Sequence, residues 1–228
     1  MLKFISARLL SAVSVSVSVL VLLAACAAPA QHVDYTAFKK SQPRSILLLP
    51  PQNDTSDVKA TYGVLSQMTL PVAEAGYYVV PVAVMEETFK QNGLTNAADI
   101  QTVPAAKLRE IYGADAALYT TVTQYGSVYT ILDSTTAVAA SAKLVDLHTG
   151  DVLWQGIGRA TGKELGGNVN VGVGGLIGAL AQAAIKQIAH TLTDEAVDVA
   201  GLTSSRLLSA GQPGGLLYGP HSPKYGTD

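Results

Sequence analysis

The chain has one cysteine, Cys26, in 228 residues, so no intramolecular disulfide can staple any fold it adopts. The chain beyond that residue must be held by an ordinary hydrophobic core, and about 200 residues are enough to bury one. The residues before it have a different character. Lys3 and Arg8 give a short positive start, residues 9–23 read LLSAVSVSVSVLVLL, and Ala24 and Ala25 supply small side chains before the thiol. That is the layout of a secretory signal. The apolar run is 15 residues long, short of the roughly 20 a helix needs to cross the hydrocarbon core, and its serines weaken it further. A removable signal over residues 1–25 is therefore expected rather than a permanent span.

The residues at the end of the run decide which kind of signal. Leu23-Ala24-Ala25-Cys26 resembles the bacterial lipobox, whose cysteine accepts a diacylglyceryl thioether before cleavage and is then acylated on its new amine. Cys26 is the expected lipidation site. The alternative is an ordinary cut after Ala28, which would discard the cysteine. Each buried methylene contributes about 0.8 kcal/mol, so several acyl chains on one residue hold firmly where a single chain holds reversibly. Ala27 follows the cysteine in place of an aspartate. By likeness to bacterial lipoproteins, that implies sorting to the outer membrane, with the domain facing the periplasm.

Removing residues 1–25 takes Lys3 and Arg8 and no acidic residue, leaving 13 Lys+Arg against 17 Asp+Glu and a net charge of −4. No basic cluster interrupts the chain, which disfavours a nucleic-acid partner.

Residues 26–44 lack periodicity and are expected to form a tether, with the folded domain at 45–200. SILLLPP, starting at Ser45, is an apolar run without alternation, the pattern of a central strand covered on both faces. QNDTSD reads as a loop in which Thr55 or Ser56 caps the next helix. That helix carries Val58, Tyr62, Leu65, Met68 and Val72 at steps of three and four, and Pro71 should kink or restart it. GYYVVPV is a second strand and VMEETFKQNG a short helix. TVPAAKLREIYGAD is a further helix, with Pro104 in its first turn and Gly113 past its end. From Ala116 the composition turns to Thr, Val, Tyr and Ala. AALYTTVTQY, SVYTILD, TTAVAASAKLVDL and DVLWQGIGRATG read as strands, the last two joined by a hairpin turn at Gly150. A helix over 173–200 repeats Leu176, Leu180, Ala184, Ile188, Leu192 and Ala196 on one face. The Gly/Pro-rich tail, 201–228, is expected to lack regular structure while Leu207, Leu208, Leu216 and Leu217 dock. The expected fold is a single α+β domain. A mixed or antiparallel sheet of about five to six strands carries packed helices, in the order β-α-β-α-α-β-β-β-β-α.

Constellations that would carry chemistry are not legible. GVGGLIG at 172–178 has isoleucine at position 177 where a dinucleotide loop needs its third glycine, and the phosphate-loop pattern is missing. The Gly-rich 166–180 segment is explained by entry into a close-packed helix. The alternative is that it meets lipid or mediates self-association. His32, His148, His190 and His221 share no ligand spacing. Glu86-Glu87 and Asp194-Glu195 are helix neighbours that point about 100° apart and do not converge as a catalytic pair would. Trp154 and tyrosines 77, 78, 119, 125 and 129 could form a binding face, although strand propensity and half-burial explain most of them. No catalytic, metal or cofactor site is expected.

The wording of the chain carries a resemblance. SILLLPPQNDTSDVKATYGVLSQMTLPVAEAGYYVVPVAVMEETFKQNGLTNAADI, KLREIYGADAALY, AKLVDLHTGDVLWQG and the LLYGPHSPKY tail look like bacterial lipoproteins typified by a meningococcal surface antigen. That family has no settled activity. More distantly, the element order is similar to periplasmic domains of the curli-secretion lipoprotein and to the N-terminal domain of the Tol translocation protein. The resemblance implies a protein that works in export, assembly or maintenance of the envelope by binding other envelope proteins, without catalysis. Pore formation does not carry over, because no long alternating membrane hairpin is present.

Overall fold

In a computed structural model of the chain, the described residues are 33–129, 134–165 and 195–228. Cys26, the Gly-rich 166–180 segment and the expected helical face from Leu176 to Leu192 lie outside them.

The sheet is built around β1 (Ser45–Leu48). Ile46, Leu47 and Leu48 are all fully buried, as a run without alternation requires of a strand covered on both faces. β1 pairs in parallel with β3 (Tyr78–Val79) on one side and with β4 (Ala116–Tyr129) on the other. β4 then pairs antiparallel with β5 (Ser134–Asp146), and β5 with β6 (Val152–Thr161). The order is β3-β1-β4-β5-β6, with β2 (Gln52–Asn53) also on β4. The mixed sheet of an α+β fold is thus the observed architecture.

Two details differ from the sequence reading. Gln52 and Asn53 were expected in a loop, yet they resume strand pairing on β4 at Thr121 and Val122. Pro50 and Pro51 cannot donate to a ladder, so they divide one strand into β1 and β2. The two strands expected at 116–125 and 127–133 are also one strand, β4, running to Tyr129. A register shift between Val122 and Gln124 and a positive φ of 101° at Gly126 bend it without ending it.

Helices cover the sheet. α1 is Thr36–Ser41, α2 Ala60–Glu74, α3 Val82–Gln91, α4 Ala97–Ile100, α5 Ala105–Tyr112, α6 Gly162–Leu165 and α7 Glu195–Leu208. The right-handed rule for parallel crossovers puts α2, between β1 and β3, on one face and α3–α5, between β3 and β4, on the other. α2 buries Leu65, Met68 and Val72 as expected, together with Ala60 and Val64, while Tyr62 is exposed and Val58, also exposed, lies in the turn before the helix. Pro71 sits inside α2 without breaking it. Its ring nitrogen cannot donate to the Gln67 carbonyl one turn back, and only Val72, Ala73 and Glu74 follow it in the helix. α7 packs on α2 and lies across β5 and β6.

The ends of the chain depart most from expectation. The stretch expected as tether contains α1, which buries Phe38. The helix expected to end near 200 continues to Leu208, and the segment after it docks, burying Leu216 and Leu217 as expected. Tyr35 Oη donates to Gly215 O at 2.6 Å, Tyr77 Oη to Leu217 O at 2.7 Å and Trp154 Nε1 to Gly214 O at 2.8 Å. Gly219 and His221 N–H groups donate to the carbonyls of Ala75 and Gly76. Gly76 has φ of +99°, and a Cβ there would fall 2.5 Å from the Ser222 nitrogen. Only glycine meets both demands. Residues 33–228 therefore form one compact unit that includes both segments.

Candidate functional site

The parallel strands β1 and β3 end on the same side of the sheet, the place where open α/β sheets leave a crevice. An open groove of about 830 Å³ lies there. Its floor is the β1–β2 link at Pro50, Gln52 and Asn53. One wall is Val58 in the turn before α2 with Thr61 and Tyr62 in its first turn, another is α3 at Ala83, Glu86, Glu87 and Lys90, and residues 94–98 with Ile100 close it.

Local hydrogen bonds hold these walls. Asn53 Nδ2 donates to Asp57 O at 2.8 Å, while its Oδ1 accepts from Thr55 N–H and Thr55 Oγ1. Thr61 Oγ1 donates to Pro51 O at 3.1 Å. Gln101 Nε2 donates to both Pro50 O and Thr120 O at 2.9 Å, fastening the far wall to the sheet end. Thr55 and Ser56 do not cap α2, whose N-terminal flank is Lys59. Asp57 Oδ1 instead accepts the Lys59 N–H at 2.9 Å. The rim is mixed where it meets solvent: Val58 is 87% and Tyr62 58% exposed, beside exposed Glu87, Lys90, Thr95 and Asn96. Inside, Glu86 Oε1 is buried with no hydrogen-bond partner among the described residues. Glu86, half-buried, and Glu87, exposed, both line the groove. Among the described residues no histidine or cysteine lines it.

The other flagged residues lie elsewhere. Asp115, Asp146 and His148 gather at the opposite end of the sheet. Asp115 Oδ2 accepts from the Arg44 and Ser45 N–H groups and from Ser45 Oγ. Asp146 is buried; its Oδ2 accepts from Ser41 Oγ at 2.5 Å, and its Oδ1 accepts from the His148 and Thr149 N–H groups. His148 Nε2 stands 4.0 Å from Asp115 Oδ1. These carboxylates are used in fastening α1 and the β5–β6 turn to the sheet. His221 and Asp151 are exposed, and Asp133, His32 and His190 fall outside the described residues. Among the described residues no group of three His, Cys, Asp or Glu could hold a metal ion. The aromatics do not make one face. Tyr77 and Trp154 pin the C-terminal segment, Tyr78 is exposed, and Tyr119 takes the Lys143 ammonium 5.3 Å from its ring centroid.

Asp146 predicts a pH effect. Burial alone would raise its pKa, but hydrogen bonds from Ser41, His148 and Thr149, with the nearby His148 charge, outweigh it and hold the carboxyl below its ordinary value. A depressed folded value stabilises the fold above the unfolded value of about 3.9, and that contribution is lost as pH falls through the folded one. Melting curves below about pH 4 should therefore show a steeper loss in the parent chain than in Asp146→Asn, which has no proton to take up there.

The class of this mixed-sheet α+β domain, which follows a signal-like segment ending in a lone cysteine, is given by likeness to known proteins: it is the class described as "putative lipoprotein". Residues 33–221 match the family described as "Putative lipoprotein GNA1162-like", and the chain belongs to that family. It is 51% identical over 203 residues, 89% of this chain and 92% of the relative, to "Putative lipoprotein NMB1124/NMB1162" of Neisseria meningitidis serogroup B. Among solved structures it is similar to lipoprotein GNA1162 from Neisseria meningitidis, at 51% identity and a TM-score of 0.49, covering 65% of this chain and 99% of that one. The C-terminal domain of LpoB from Salmonella enterica is 20% identical with a TM-score of 0.38, covering 51% of this chain and 82% of that one.

Proposed function

We propose that this chain is a non-enzymatic outer-membrane lipoprotein, anchored through lipid on Cys26 and facing the periplasm, that binds other envelope proteins in an export, assembly or maintenance complex. In this reading residues 1–25 are removed, 26–32 form the spacer, and 33–228 form the binding domain. Membership of a lipoprotein family supports the anchor. The observation that carries the binding role is the groove at the carboxyl ends of β1 and β3, where Val58 and Tyr62 stand in solvent on a rim braced by hydrogen bonds. Aromatic and aliphatic side chains held rigid beside a recess are the residues that anchor protein interfaces.

A photo-crosslinking residue placed at Tyr62 in the native host should yield discrete adducts with envelope proteins. The same probe at Ser205, an exposed position on α7, should not. Equal adducts from both positions, or none from Tyr62, would reject the groove as the binding surface. Cys26→Ala should in turn shift the protein from the membrane fraction to the soluble one.

A further inference from the structure

The amino ends of β1 and β3 and the groove occupy opposite ends of the parallel strands. At the amino end, α1 and the C-terminal segment form one continuous face. Tyr35 is bonded to Gly215, Lys39 Nζ donates to the terminal Asp228 O at 2.9 Å, and Tyr78 N–H donates to Arg44 O. The chain enters this face at Val33, seven residues after Cys26. Seven residues span at most about 25 Å when fully extended.

From this placement we infer that the face made by α1 and residues 215–228 lies against the phospholipid surface that carries the anchor, with lipid headgroups as its partner, and that the groove opens away from the bilayer. The inference rests on the lipid anchor proposed above. The spacer is short and its end is held, because Tyr35 and Phe38 are fixed into the fold. The surface also suits an interface. Lys39, Tyr218 and Tyr225 line a recess of about 270 Å³ together with the buried Phe38 and Leu217, and Lys40 and Lys224 are exposed on the same two segments. Lys224 Nζ lies 5.5 Å from the Tyr218 ring centroid. Tyrosine rings sit well at headgroup level, and lysines reach past them to phosphates. The face also carries two acids, Asp34, whose Oδ1 accepts from Thr36 N–H, and Asp228, whose Oδ2 accepts from Tyr218 N–H.

The chain from Cys26 onward contains the whole described fold and can be coupled through its only thiol to a maleimide headgroup lipid. Vesicles of phosphatidylethanolamine and phosphatidylglycerol suit the purpose. Amide hydrogen exchange should slow severalfold in 35–43 and 217–227 relative to the uncoupled chain, and stay unchanged in 52–62 and 86–98. The triple variant Lys40→Glu, Lys224→Glu and Tyr225→Ser alters only exposed side chains and should lose most of that protection with its melting temperature kept. Unchanged exchange on coupling, protection at 52–62, or protection that survives the triple variant would overturn the inference. Chemical coupling bypasses biological lipidation, so this result stands apart from the anchor itself, which mass spectrometry of the amino terminus from the native host decides.

Discussion

Trp154→Ala should destabilise the domain by about 3–5 kcal/mol, the usual cost of emptying a buried aromatic site. The indole is 2% exposed on the helix-covered face of β6. It cannot be replaced by a neighbour's relaxation, because Gly156 lies directly beneath the ring and has no side chain to move in. The substitution also orphans the Gly214 carbonyl that Nε1 holds at 2.8 Å, a loss in the range of about 1–3 kcal/mol if that carbonyl stays buried. Domains of this kind are commonly stable by about 5–15 kcal/mol, so the change takes a large part of the total. Urea denaturation followed by circular dichroism measures it, since the variant has no tryptophan to report by fluorescence. Trp154→Phe separates the two terms. It keeps most of the ring volume and should lose only about 1 kcal/mol with the hydrogen bond. Limited proteolysis adds a second readout, because the alanine variant should be cut faster within 209–215. A loss below about 1 kcal/mol would show that the C-terminal segment is not held through this residue.

That dependence explains which parts of the fold could be read from sequence. β1 was legible because burial on both faces leaves a local mark, a run of apolar residues with no alternation. α5 was legible because Pro104 and Gly113 punctuate it, Gly113 at a positive φ of 65°. The turn at Gly150 was legible for the same reason. Of the tail only the docking of its leucines was legible; its partners were not, because the groups that order it lie far away in the chain. Tyr35 and Gly215 are 180 positions apart, and Tyr77 and Leu217 are 140 apart. Its Gly and Pro content, read locally, is the signature of irregular structure, and irregular it remains, yet it is docked. α1 was missed on similar grounds: one buried residue, Phe38, in six gives no period to detect. The groove was least legible. Val58 and Tyr62 fit the apolar spacing of Leu65, Met68 and Val72 and were assigned to the same core face, yet the helix starts only at Ala60, leaving Val58 in the turn before it, and Tyr62 in its first turn stands in solvent. Glu86 and Glu87 gave no sign of a recess, because the opposing wall comes from the β1–β2 link more than 30 positions earlier.

Gly158→Val tests the other long-range contact, the seat of α7 on the sheet. Gly158 pairs with Ala140 on the helix-covered face of β6. A Cβ at this position would stand 2.8 Å from Leu207 Cβ and 2.8 Å from Thr203 O. One of those atoms is helix backbone and the other is the root of a side chain, so no rotamer change relieves the overlap; α7 itself must move. It is not free to do so, since Thr203 Oγ1 donates to Val138 O on β5 at 3.2 Å and to Val199 O in its own helix at 2.9 Å. Arg206 also donates to Arg159 O at 3.0 Å and pairs with Glu164. Two effects oppose each other. Valine favours a strand, and removing glycine from a strand interior contributes about 0.5–1 kcal/mol of stability. Overpacking costs about 1–3 kcal/mol, and more where backbone must shift. Overpacking wins here because the obstacle is a helix fastened on two sides, and a net loss of about 2 kcal/mol is expected. Ile157→Thr, one residue away on the opposite face and 82% exposed, should change stability by less than about 0.5 kcal/mol. Chemical denaturation of the two variants side by side isolates the contact. Equal midpoints would mean that α7 does not rest on β6 at this glycine, and the tight seat that orders the helix and the segment after it would have to be sought elsewhere on the sheet.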